Sequence, residues 1–165
     1  MVVPTYIYGG FFMTHVERYQ HLVFLSNQQQ PKDIQYKAAF FVLSSNEELF
    51  TLACNEVDHC GIHFNSLKQK SSFLGESDQK LIELAHNIFS ANSSCSQNPF
   101  WTLSQLEPPQ FLCAIQALGI AGEKLNLTIE QGEFVIDDTP LQNQLAFYAQ
   151  IEAMSKASHT PNIAR

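Results

Sequence analysis

The chain has 165 residues, a hydrophobic content of 45 %, and only 15 % charged residues, with a net charge of −7. That length suits one domain with a core large enough to need neither metal nor disulfide. No run of Lys and Arg exists, which argues against binding a nucleic-acid backbone, and no apolar run reaches the ~18 residues of a membrane helix.

From the N-terminus, Thr5–Tyr8 is β-prone and stops at Gly9-Gly10. The opening residues lack the basic and apolar segments of a signal peptide. Thr14 with Glu17 predicts a capping box, in which each side chain bonds the other's unpaired backbone N–H. A helix to about Leu25 should bury Val16, Tyr19, Leu22 and Val23. The loop Ser26–Lys32 follows, with Gln28-Gln29-Gln30 and Pro31.

Asp33 is an N-cap for the densest apolar stretch, Asp33–Cys60, around which the rest is expected to be organised. Its first helix, to Leu43, is apolar on most of its circumference and should be buried. Ser44-Ser45 interrupts it. Ser45 and Glu48 suggest a second capping box and a helix through about Val57, stopped by Gly61. From Asp58 to Gly75 periodicity is lost, which predicts a long loop docked on the core. Ser77 then caps a helix over Asp78–Phe89.

Asn92–Pro99 is a second loop and the best boundary in the chain, followed by Phe100 and the lone Trp101. Pro108 and Pro109 suit a helix start. That helix, to about Leu118, is expected to bury Phe111, Leu112, Ile115 and Leu118. Residues 125–138 read as a hairpin turning at Gln131-Gly132, with Glu130 opposite Glu133, Ile129 opposite Phe134 and Leu127 opposite Ile136. Thr139-Pro140 opens a last helix, to about Ala157, with Leu141, Leu145, Tyr148 and Ile151 or Glu152 on one stripe. His159–Arg165 is a tail. The fold class expected is α+β, mainly helical, with five or six helices around a Phe-rich core and one C-terminal hairpin. Residues 1–165 form one domain, with a helical core at 1–92.

Three segments resemble a known group. They are Phe11-Phe12 with His15 and Tyr19, then Tyr36–Leu43 (Y-K-A-A-F-F-V-L), then Leu84–Phe89 (L-A-H-N-I-F). Together they resemble small uncharacterised helical proteins of bacterial plasmids and prophages, over residues 11–92. Where those proteins often carry a tryptophan, this chain has Lys70–Gly75 without one. The resemblance implies a helical fold and a mobile-element setting, and it implies no activity.

The most chemical-looking cluster is Cys54, Asp58, His59, Cys60 and His63, all zinc-ligand types gathered around Gly61. The plainer account is a buried thiol plus loop histidines, because helical spacing puts Cys54 on the apolar face. Cys54, Cys60, Cys95 and Cys113 lack a secreted-scaffold spacing and read as free thiols in a reducing cytoplasm. His15, His21 and His86 fall on helices and read as structural. Gly119–Lys124 lacks the spacing of a phosphate loop, and no nucleophile elbow is present. Residues 123–138 carry five acids and one lysine. Glu130, Glu133, Asp137 and Asp138, with Trp101 as an aromatic anchor, form a candidate surface for a protein partner. The first reading is therefore a non-enzymatic interaction or inhibitor protein without cofactor, its partner another protein or a second copy. The alternative is a metal-binding protein or metal-dependent enzyme that uses the Cys/His cluster.

Overall fold

A computed structural model describes residues 13–27, 33–90 and 99–158, without the side chains of 99–101, 157 and 158. The expected strand Thr5–Tyr8, the motif Phe11-Phe12, the boundary loop, Cys95, the terminal tail and the Trp101 side chain lie outside the described residues. The elements in order are α1 (His15–Leu25), α2 (Ile34–Leu43), α3 (Glu47–Cys54), β1 (Val57–Asp58), β2 (Gly61–Ile62) and α4 (Phe64–Lys70). A 3₁₀ turn at Ser71–Phe73 leads to α5 (Glu76–Phe89), α6 (Pro99–Ser104) and α7 (Pro108–Ala121). The chain closes with β3 (Asn126–Glu130), β4 (Glu133–Asp137) and α8 (Thr139–Ser158). The fold is α+β and mainly helical, with a Phe-rich aromatic core and a C-terminal antiparallel hairpin.

Helix α2 is the hub. All its residues from Ala38 to Leu43 are buried, and α1, α3, α5 and α7 pack around it. Burial on every side explains why its apolar residues favour no single face. Asp33 caps it by accepting a bond from the Gln35 N–H at 2.8 Å. At its other end the last turn's carbonyls need partners. The Arg18 guanidinium, on α1, serves two carbonyls just past the helix: Nε donates to the Ser44 carbonyl at 2.7 Å and Nη2 to the Ser45 carbonyl at 3.1 Å. His15 Nε2 donates to the Phe41 carbonyl at 2.9 Å, and its ring lies against Phe41 and Phe134. Thus α1 is riveted to α2 by polar groups at one end and by Tyr19, Leu22 and Val23 along its face. The Thr14–Glu17 capping box forms as the sequence predicts.

Several boundaries depart from expectation. The cap of α3 is Asn46, not Ser45: its Oδ1 accepts from the Leu49 N–H at 2.9 Å, while its Nδ2 donates to Asp78 at 2.9 Å. An amide can serve both the helix end and α5, which a hydroxyl so placed does not do. Helix α3 stops at Cys54, because Val57 leaves it to pair with Ile62. Gly61 therefore sits in a strand at φ +135° and does not cap a helix. The stretch expected to be loop contains β1, β2 and α4, fixed by burial of Val57, Ile62, Phe64 and Leu67. Helix α5 begins at Glu76 after Gly75, ahead of Ser77.

The largest correction concerns α7. Phe111, Leu112, Ile115 and Leu118 are exposed, by between 39 % and 58 %. Cys113, Ala114, Ala117 and Ile120 are buried instead. Small side chains let the α7 backbone approach α2, which presents Ala38 and Ala39 among its buried residues. The large side chains are then forced outward.

The hairpin has the expected register, Glu130↔Glu133, Ile129↔Phe134 and Leu127↔Ile136. Gln131 and Gly132 both take positive φ, 52° and 82°, the tight turn whose twist matches a hairpin. Leu127 is buried, and Phe134 packs on Tyr19 and Phe41. Of the expected α8 stripe only Leu141 is partly covered; Leu145, Tyr148 and Ile151 are exposed, as are Phe147 and Met154 outside it, all five by between 47 % and 72 %. Among the described residues no helix is long and apolar enough to cross a membrane.

Candidate functional site

The β1–β2 hairpin pairs Val57 with Ile62 and Asp58 with Gly61, leaving His59 and Cys60 as its two-residue turn. Its position is set from below. The Glu56 carbonyl accepts the His63 N–H at 2.8 Å, and the buried Glu56 carboxylate meets Lys70 Nζ at 2.5 Å. Burial pushes the Glu56 carboxyl up, but hydrogen bonds from Lys70 and Ser66 with the Lys70 charge outweigh it and hold the group below its usual range.

Asp58 organises the turn. One carboxylate oxygen accepts the Cys60 N–H at 2.7 Å and the other pairs with His63 Nε2 at 3.0 Å. These bonds, that from His63 first, lower the Asp58 pKa and keep it ionised. His59 Nε2 and Cys60 Sγ lie 3.4 Å apart. Ligand atoms of Asp58, His59 and Cys60 all fall within 4.8 Å of one another and could hold a metal ion. His63 joins them through Asp58. Cys54 does not join: it sits half-buried on α3, where burial pushes its thiol up to about 11. The five candidate ligands thus reduce to four neighbours.

Beside the hairpin is a cavity of about 390 Å³ lined by His63, Phe64, Asn65, His86 and Phe89, among others. His86 stacks on Phe64 at 4.7 Å, with the rings 17° from parallel. Burial, then the Lys68 charge, lowers its pKa and leaves the imidazole neutral at pH 7. No periodic signal marks this cavity, because α4, which lines it, falls in the stretch expected to be loop.

The acidic candidates are placed differently. Glu130 and Glu133 face each other at the exposed hairpin tip. Asp137 accepts the Thr139 N–H at 3.0 Å and its hydroxyl at 2.7 Å, and Asp138 accepts from Gln142 Nε2 at 3.0 Å. Those two acids serve the N-terminus of α8, where negative charge is favourable. Sequence reasoning missed the outward apolar faces of α7 and α8. For α7 the signal was there: at helical spacing, Phe111, Leu112, Ile115 and Leu118 share one side and Ala114, Ala117 and Ala121 the other.

No family model matches the chain, and no curated protein or solved structure does either.

Proposed function

We propose that this chain acts by protein–protein contact and not by turnover, and that a second copy of itself covers the outward faces of α7 and α8. The observation that carries this is the set of nine large apolar side chains, from Phe111 to Met154, left in water on those two helices. Taking roughly 150–200 Å² for each such side chain when fully open, their exposed fractions amount to about 800 Å². On α8 these side chains lie around the helix, with Leu145 opposite Met154, so one copy would cover part of that area, less than one partner's share of a standard interface of ~1,600 Å².

Charge supports a second copy. Helix α8 carries only Glu152 and Lys156, which pair with each other at 2.7 Å. Two such helices meet without like-charge repulsion, and nothing on them selects a charged partner. The acidic hairpin tip, Glu130 and Glu133, stays open to a basic protein, the kind of contact an accessory or inhibitor protein of a mobile element would use. The resemblance over residues 11–92 favours that setting.

Light scattering on the eluting protein tests the reading. The wild-type chain should have a dimer's mass. Leu145→Glu with Ile151→Glu should have a monomer's mass and an unchanged helical spectrum. A wild-type chain that stays monomeric at high concentration removes self-association.

A further inference from the structure

We propose that the β1–β2 turn is a transition-metal site, with Asp58, His59 and Cys60 as ligands for zinc and His63 as the partner that orients Asp58. This is separate from the apolar contact surface and does not depend on it.

The donor set is the first ground. One carboxylate, one imidazole and one thiol are each a common zinc ligand, and zinc favours such mixed sites. Geometry is the second. With bonds of about 2.0–2.3 Å, a tetrahedral zinc sets its ligand atoms roughly 3.3–3.7 Å apart. The Cys60 Sγ–His59 Nε2 separation is already 3.4 Å, and all three donors lie within 4.8 Å of one another. Closing the remaining gap needs only side-chain rotation, which exposed groups at a turn can make. The third ground is support. His63 holds the far oxygen of Asp58 at 3.0 Å, as outer partners hold metal-bound carboxylates, and the His63 backbone is anchored by the Glu56 carbonyl.

Three protein donors leave a fourth position for water or a ligand, as in catalytic zinc sites. His63, which bonds Asp58, also lines the 390 Å³ cavity. The metal also has a structural use. A hairpin of two residues per strand is marginal by itself. Holding Asp58, His59 and Cys60 on one ion would fix the conformation of the turn between its strands.

The test uses the reduced, metal-free full chain titrated with zinc chloride alone and cobalt chloride alone. One ion per chain is expected, and cobalt should add a thiolate-to-metal charge-transfer band. Cys60→Ser should abolish that band. His59→Ala should weaken zinc at least tenfold, and His63→Ala about tenfold as an outer partner. Cys54→Ser, Cys95→Ser and Cys113→Ser should leave the band in place. The ligand variants change surface groups, Cys54→Ser and Cys113→Ser change half-buried and buried ones, and a circular dichroism spectrum checks that each variant read is folded. Absence of the band, its survival in Cys60→Ser, or its loss in any of the other three cysteine variants overturns the site.

Discussion

Gly61→Ala tests the β1–β2 hairpin most sharply. Gly61 stands at φ +135°, a conformation that L side chains rarely adopt. An added Cβ would also lie 3.0 Å from the Tyr36 hydroxyl. Tyr36 cannot swing away without cost, because its ring meets Phe89 edge-on at 4.7 Å and tilts against Phe40 at 5.5 Å. Backbone strain of this kind costs about 1–3 kcal/mol. Losing glycine's freedom in the unfolded chain offsets about 0.4–1 kcal/mol of that. A net destabilisation of about 1–2 kcal/mol follows, or roughly 2–8 °C in Tm for a chain of this size. Urea unfolding followed by fluorescence or circular dichroism measures it. Gly132→Ala is the comparison, since Gly132 also has a positive φ, +82°, but has no atom within 4 Å of the added Cβ. Gly61→Ala should be the more damaging of the two. In a double-mutant cycle Tyr36→Phe should restore about 0.5–1 kcal/mol to Gly61→Ala by removing the crowded oxygen. Strictly additive effects would refute the Tyr36 contact, and a harmless Gly61→Ala would refute the hairpin geometry.

Phe40→Ala empties a fully buried site on α2 and should cost about 3–5 kcal/mol, whereas Phe111→Ala, measured in the monomeric Leu145→Glu, Ile151→Glu background, should cost clearly less; equal costs would mean that α7 is turned the other way. Asn46→Ala removes the α3 cap and the bond to Asp78, a loss of about 1–2 kcal/mol in denaturant midpoint analysis, and Ser45→Ala should lose less. If Ser45→Ala proves the worse, the cap has been misassigned. His15 is held below its ordinary pKa by burial, although the Phe41 carbonyl pulls the other way, so the unfolded chain takes up its proton first as pH falls. Stability should be full above about pH 6.5 and decline below it, with the slope shallower in His15→Gln. His86 is shifted in the same direction and supplies the remaining slope in that window. An unchanged slope in His15→Gln would show that the imidazole does not titrate as its burial requires.

Local signals in the sequence were reliable where the chain's own neighbours settle the structure. Thr14 and Glu17 cap each other, Asp33 caps α2, and the Gln131-Gly132 turn fixes the hairpin register, all within a few residues. Residues 57–75 were illegible for the opposite reason. Two-residue strands and a seven-residue helix carry little periodic signal, and what fixes them is distant: Phe64 and Leu67 in the core, Glu56 held by Lys70. The cap of α3 turned on an Asn46 bond to a residue 32 positions away. For α7 the error was to assume that the bulkiest residues face inward. The candidate metal ligands could be named from residue type, and helical spacing warned correctly against Cys54. That Asp58 would face His63 depended on a hairpin the sequence did not reveal.

Helix α7 has a consequence beyond its own packing. Its inward side, Cys113, Ala114 and Ala117 with Ile120, is packed too closely against the core to enlarge, so that side is effectively frozen. Its outward side touches little of the same chain, and substitutions there leave the interior as it was. A lineage carrying this helix can exchange Phe111, Leu112, Ile115 or Leu118 and so remake the surface that α7 offers to solvent, while the fold that presents them stays the same.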